Sequence, residues 1–494
     1  MKRLFFYIMA LTAALASCGD DDSFTTSRSA LLSFSRDTVS LDTVFSTVPT
    51  STQTFWVYNR NDDGLRLAQV RLLHGNQSGF RVNVDGTYLD NTLGSVAGDF
   101  EIRKGDSIRV FVELTSAATG RPEPQLVADD LVFTLQSGAE QRVNLKAWSW
   151  DALMVDSIIV RRDTVIAESK PVVVRRGIRV EEGATLTVNA PTAMFFHSGA
   201  GIDVYGRLLV NPAGEGGDGD VVFRGDRLDR MFDYLPYDRV SGQWRGITIH
   251  SSSTGNIVCN ADIHSAEHGI VCDSAAYDAD NVRLALENVT IHNCKGPGLT
   301  SYNSNISLVN CLISNTLGDC LSVYGGSALL VYCTLAQFYP FSGDRGVALR
   351  FTNFAGGYDY PLYMLECHNS LITGYAGDEI MDETRETETD VPFVYYFENV
   401  VMRTPETEEM KESEQYVNVV FETPDDSIQG KAHFKTVDED NLYYDFHLDS
   451  LSTAIGRAHA IPAFATDRDG YDRGDKPDAG CYQYRYSYQY RYSR

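Results

Sequence analysis

IVCNADI (257–263), LALENVTI (284–291), NISLVNCLI (305–313), ALLVYCTL (328–335), MLECHNSLI (364–372) and FVYYFENVVM (393–402) can be written one beneath another. Asn260, Asn288, Asn310, Asn369 and Asn399 then fall in one column, with Tyr332 as the exception, at steps of 28, 22, 22, 37 and 30 residues. A second set of strand-like runs lies between them: GITI (246–249), GIVC (269–272), GLTSY (298–302), CLSVY (320–324) and GVALRF (346–351). Short β-rich runs at a period near 22, with insertions and no helical periodicity, predict a coiled β solenoid. One turn cannot bury its own apolar face, so turns must stack and bury one another's. In such a stack, identical residues lie about 4.8 Å apart. An asparagine column at a bend is then a structural ladder, bonded to the backbone and to its neighbours above and below.

On these runs the chain resembles the right-handed parallel β-helix proteins of the pectate-lyase-like type. The resemblance covers roughly the last two-thirds of the chain and implies an all-β fold. It says little about chemistry, because the same scaffold carries lyases, hydrolases, adhesins and inert fibres.

Working outward, residues 171–212 read as two tight opening rungs, and 148–484 as the whole β-helix. Residues 31–147 have a different texture, alternating strands broken by NDDG (61–64), DG (85–86), KGD (104–106) and SG (137–138). About seven strands in that length predict a small β-sandwich. Its pattern resembles the immunoglobulin-like modules beside bacterial surface anchors, which act as spacers. Residues 19–30 are polar and read as a tether.

The first 18 residues join a basic start to the apolar LFFYIMALTAALAS (4–17), too short to span a bilayer. Leu15-Ala16-Ser17-Cys18 resembles a bacterial lipobox, and Gly19 to Asp22 is similar to the acidic export signal of Bacteroidetes-type surface lipoproteins. The resemblance implies an acylated Cys18 held in outer-membrane lipid at the cell surface. The net charge of −25 argues against nucleic acid or an anionic membrane surface as a partner and disfavours unassisted binding of polyuronates. Of nine cysteines, the eight beyond Cys18 sit mostly in solenoid runs and read as core thiols.

A uronate lyase on this scaffold needs a base and a cation beside the substrate carboxylate. Lys295 is the only lysine between Trp244 and Met402, and Asp262, Asp273, Asp319 and Asp378 are scattered. His264 and His292 occupy matching places in successive rungs. They read first as stacked, solvent-facing side chains at a strand end, and second as a metal-binding or acid–base pair. His264, His292 and Lys295 are therefore the candidate catalytic residues; no metal site is assigned and no cofactor is expected, with calcium as the alternative. The acidic runs DEIMDETRETETD (378–390) and PETEEMKESE (405–414) lack calcium-loop spacing and read as solvated loops. Asp467, Asp469 and Asp472 read as turn caps. The duplicated YQYRYS, ending the chain over 485–494, reads as an extra strand or a free tail.

Two functions remain from the sequence. One is a non-catalytic surface lipoprotein that binds extracellular glycans or surfaces, with Trp244, Tyr302, Tyr324, Phe338, Tyr339 and Phe341 as exposed aromatics. The other is a polysaccharide lyase or glycoside hydrolase on the same β-helix.

Overall fold

A computed structural model describes residues 23–212, 219–232, 234–385 and 391–485. Cys18 with its signal segment, residues 386–390 of the first acidic run and the repeated tail after Arg485 lie outside the described residues. The chain divides into two compact units, Met1–Asp151 and Ala152–Arg494. Among the described residues no helix is long and apolar enough to cross a membrane.

The first unit is a β-sandwich of two five-stranded sheets. One sheet orders Ser33–Phe34, Gln53–Tyr58, Ser107–Leu114, Phe80–Val84 and Thr87–Tyr88; the other orders Thr38–Phe45, Glu140–Trp150, Gln125–Leu135, Leu65–Leu72 and Val96–Ile102. Strict alternation does the work: Ile108, Val110, Val112 and Leu114 are all buried, while the residues between them face outward or the rim. Ten strands replace the expected seven or so. Two of the extra ones are two-residue edges, and Val96–Ile102 carries Gly98 and Asp99 where a regular strand would show alternating apolar residues.

The second unit is a right-handed parallel β-helix. Each rung is three short strands, and each strand pairs in parallel with its counterparts above and below. Ile202, Ile247, Ile270, Leu299, Leu321, Leu349 and Ile380 stack in register to line the first face. Val258, Leu286, Leu308, Leu330, Cys367 and Phe397 line the second. Phe223, Ile263, Ile291, Ile313, Leu335, Ile372 and Met402 line the third. The spacing along the second face repeats the steps read from the sequence. The thiols of Cys272, Cys294 and Cys367 lie in the same interior, where burial pushes them up to about 12.

The asparagine column is the corner between the second and third faces. Asn260, Asn288, Asn310, Tyr332, Asn369 and Asn399 all have left-handed backbones, with φ from 45° to 56°, and Asn211 and Asn418 extend the file at either end. Asparagine is among the few L-residues that adopt this conformation readily, which explains the column. As a ladder it is discontinuous. Asn288 donates to Asn260 at 3.1 Å and Asn418 to Asn399 at 2.7 Å. Asn310 instead donates to the Thr466 carbonyl and accepts from Arg473. Asn369 exchanges two bonds with the His459 backbone. Between them the Tyr332 hydroxyl donates to the His459 carbonyl at 2.6 Å, under the Arg473 guanidinium.

Those partners belong to a C-terminal segment that straps the outside of the helix. The hairpin Phe434–Asp438 with Tyr443–Leu448 and the chain through Tyr482 lay Phe434, Phe446, Leu448, Ala454, Ala479 and Cys481 on outward-facing Leu312, Ala336, Phe338, Leu371 and Val401. Beneath this strap Arg403, Glu422 and His433 form a buried chain that ends on the Ser452 hydroxyl. Asp467 caps the turn before Tyr471 with two backbone N–H bonds, and Asp472 caps Gly474. The acidic runs depart from plain loops: Ile380–Glu383 is a strand of the first face, and Glu408–Glu412 is a turn of helix capped by Thr407.

Candidate functional site

Two regions of the outer surface carry chemistry. The first is at the end of the third face. Ser265 and Asn293, at φ of 61° and 53°, turn the chain directly after His264 and His292. The strand register places the two histidines one above the other, so their rings stack 4.6 Å apart at 20°. Asp262 lies two residues before His264 and therefore projects to the same side. Its Oδ1 is 2.7 Å from His264 Nδ1 and 3.2 Å from His292 Nε2. His264 Nε2 is 3.1 Å from Asp238 Oδ1, on a short helical turn of the excursion between the third and first faces. Arg224, one rung away in the same file, pairs with Asp238 at 2.5 Å.

The sequence predicts stacked, solvent-facing histidines; they stack but are buried, the His264 side chain 6% exposed and that of His292 13%, against 31% for Asp262. The turn Tyr237–Arg239 lies over the strand end, with Asp238 on His264 and on the Ser265 hydroxyl. Burial opposes charge on Asp262, and the two facing imidazoles overcome it and hold the carboxyl well below its ordinary range. Burial likewise disfavours the imidazolium of His264, but Asp262 and Asp238 together raise its pKa. His292 shares a single carboxylate, and burial wins there, lowering it. Both His264 nitrogens lie within hydrogen-bond distance of a carboxylate, Nδ1 of Asp262 and Nε2 of Asp238. The trio Asp262, His264 and His292 is the one group of His, Cys, Asp and Glu donors among the described residues that lie within 4.8 Å of one another.

Lys295 does not join it. Its ammonium pairs with Glu267 at 3.0 Å and is 57% exposed on the corner beyond. Asp238 and Arg224 escaped sequence reading because the intervening excursion lengthens the step between rungs and hides the register. In the sequence Asp262 reads as one of the scattered aspartates, although alternation alone puts it beside His264.

The second region is the corner between the first and second faces. Tyr302 and Tyr324 are in register and stack at 4.9 Å, with Tyr360 tilted against Tyr302 at 6.2 Å. Tyr277 stacks on Tyr363 at 4.3 Å and bonds Ser327 through its hydroxyl. Tyr358, on the small hairpin Phe354–Ala355 with Tyr358–Asp359, is 74% exposed, and Tyr363 43%. The first face beside them is polar: His250 stacks on Tyr205 and bonds Asp273 and Asp203, Arg245 pairs with Asp203, and Arg350 with Asp319. Three of the aromatics expected at the surface are inside. Trp244 stacks on Phe196 and donates its indole N–H to the His264 carbonyl, Phe338 sits under the strap, and Tyr339 is buried. Phe341 is exposed, while Tyr302 and Tyr324 are half-buried, showing edges and hydroxyls because their faces cover each other.

The family model described as "Right handed beta helix region" matches residues 221–337. No curated protein sequence matches the chain. Among solved structures, the A-module of the mannuronan C-5 epimerase AlgE6 from Azotobacter vinelandii is similar over 56% of this chain and 87% of its own, at 11% identity and a TM-score of 0.28. The periplasmic alginate epimerase AlgG is similar over 56% and 84%, at 13% identity and a TM-score of 0.26. The Vibrio cholerae VesB protease is similar over 25% of this chain, at 15% identity and a TM-score of 0.16; the chain spans 33% of that protease's length.

Proposed function

We propose that this chain is a lipid-anchored surface protein that binds extracellular glycan at the tyrosine-lined corner of its β-helix. The immunoglobulin-like sandwich acts as the spacer. The observation that carries this reading is the cluster of Tyr277, Tyr302, Tyr324, Tyr358, Tyr360 and Tyr363 at one corner, with Tyr358 largely open and Tyr363 partly so. A sugar offers apolar C–H faces rimmed by hydroxyls. A tyrosine offers an apolar ring ending in a hydroxyl, and parallel rungs repeat that unit along a line. The arginines near the corner are taken up by carboxylates, Arg245 by Asp203, Arg350 by Asp319 and Arg385 by Asp359, which favours neutral or weakly charged glycans.

Binding is tested on a glycan array with the purified full chain. Tyr358→Ala and Tyr363→Ala are expected to weaken retained glycans about tenfold. Unchanged retention in both folded variants sinks the reading. The anchor is tested separately: Cys18→Ala is expected to move the protein from the membrane fraction to the soluble one, and a variant that stays membrane-bound refutes acylation at that residue.

A further inference from the structure

The Asp262, His264 and His292 trio lies outside the proposed glycan surface and has a geometry of its own. We propose that it is a binding site for a divalent transition-metal ion of the zinc class. Zinc lies about 2.0–2.1 Å from imidazole nitrogen and about 2.0–2.2 Å from carboxylate oxygen, so donors sharing one ion stand roughly 3–3.5 Å apart. Asp262 Oδ1 is 2.7 Å from His264 Nδ1 and 3.2 Å from His292 Nε2, the three donor atoms lie within 4.8 Å of one another, and binding would turn the two stacked rings so that both nitrogens face one ion. Two nitrogens and one oxygen favour zinc, cobalt or copper over calcium, which takes six to eight oxygens.

The surroundings add a second, independent feature. A metal-bound histidine characteristically donates its other ring N–H to a carboxylate, which fixes its tautomer and orientation. His264 already does this: with Nδ1 on the ion, Nε2–H remains on Asp238, and Asp238 is held by Arg224. The backbone is equally set, because left-handed turns at Ser265 and Asn293 and the strand register fix both ring positions. Loading balances simply. His264 would bind as the Nε2–H tautomer and His292 as the Nδ1–H tautomer, any proton on His264 Nδ1 passing to solvent. Asp262 is the most exposed of the three, so an ion would enter from its side.

The test uses the full chain in detergent, stripped with a chelator and titrated with zinc, and with cobalt(II) for its visible absorption. One equivalent of either ion is expected, with tetrahedral cobalt bands and a rise in the thermal midpoint on loading. His292→Ala and Asp262→Asn are expected to lose the ion at least a hundredfold. Asp238→Asn should weaken it about 10–100-fold at unchanged stoichiometry. His447→Ala, in a separate His–Asp cluster, is expected to bind as wild type does. Should a variant fail to fold, the wild type still decides, since zinc must then shift the ring signals of two histidines and no others. No uptake by wild type, or uptake unaltered in folded His292→Ala, overturns the proposal.

Discussion

Asn310 shows how one residue holds two structures together. Its left-handed backbone turns the rung, while its side chain donates to Thr466 and accepts from the buried guanidinium of Arg473. Asn310→Ala keeps neither bond and strains the turn. A loss of about 1–3 kcal/mol is expected, read as a lower denaturant midpoint at unchanged slope. A midpoint equal to wild type would show that the strap does not depend on this contact. Glu379 is the second telling residue. It is fully buried, accepts from the Ala348 and Ala376 backbones, and has its pKa pushed by burial from 4.5 up to about 8. Its folded value lies above the unfolded one, so its contribution is complete below about 4.5 and is lost as pH rises through about 8. Glu379→Gln is therefore expected to flatten the fall in stability across that window, measured by denaturant melts at several pH values. An identical slope in the two proteins would rule out a protonated Glu379.

At the scale of elements, the strap explains why the third face is apolar on both sides. Leu312, Leu371 and Val401 point outward, and a bare solenoid rung would carry polar residues there, as the two preceding rungs do with Asp262 and Thr290. The hairpin covers them with Phe434 and Phe446, whose rings meet edge to face at 5.0 Å. Phe446→Ala is expected to cost about 3–5 kcal/mol and to expose this surface to a hydrophobic dye. A variant with wild-type stability and no dye binding would mean that the strap is dispensable. Runs such as ALLVYCTL are legible as strands from sequence. Their double-sided hydrophobicity is the trace of the covering segment, which lies about 100 residues downstream and has no period to betray it.

At the scale of the molecule, the net charge of −25 sets which partners approach. Polyuronates are expected to bind poorly at low ionic strength and to gain affinity as salt screens the repulsion, whereas neutral glycans should be indifferent to salt. Calorimetry at two salt concentrations checks this, and polyuronate binding strongest at low salt would contradict it. The sequence by itself determined the rungs, their register and the all-β class, because stacking identical residues every turn writes a period into the chain. It also determined that His264 and His292 share a file. What it left open is what surrounds that file. Asp238 and Arg224 reach the histidines across an excursion, and the strap reaches Asn310 and Asn369 from residues 459–473. Those contacts are long-range and aperiodic, so only the folded chain brings them together. They decided that the histidines are buried and paired instead of solvent-facing, and that Trp244 and Phe338 are core instead of glycan platforms.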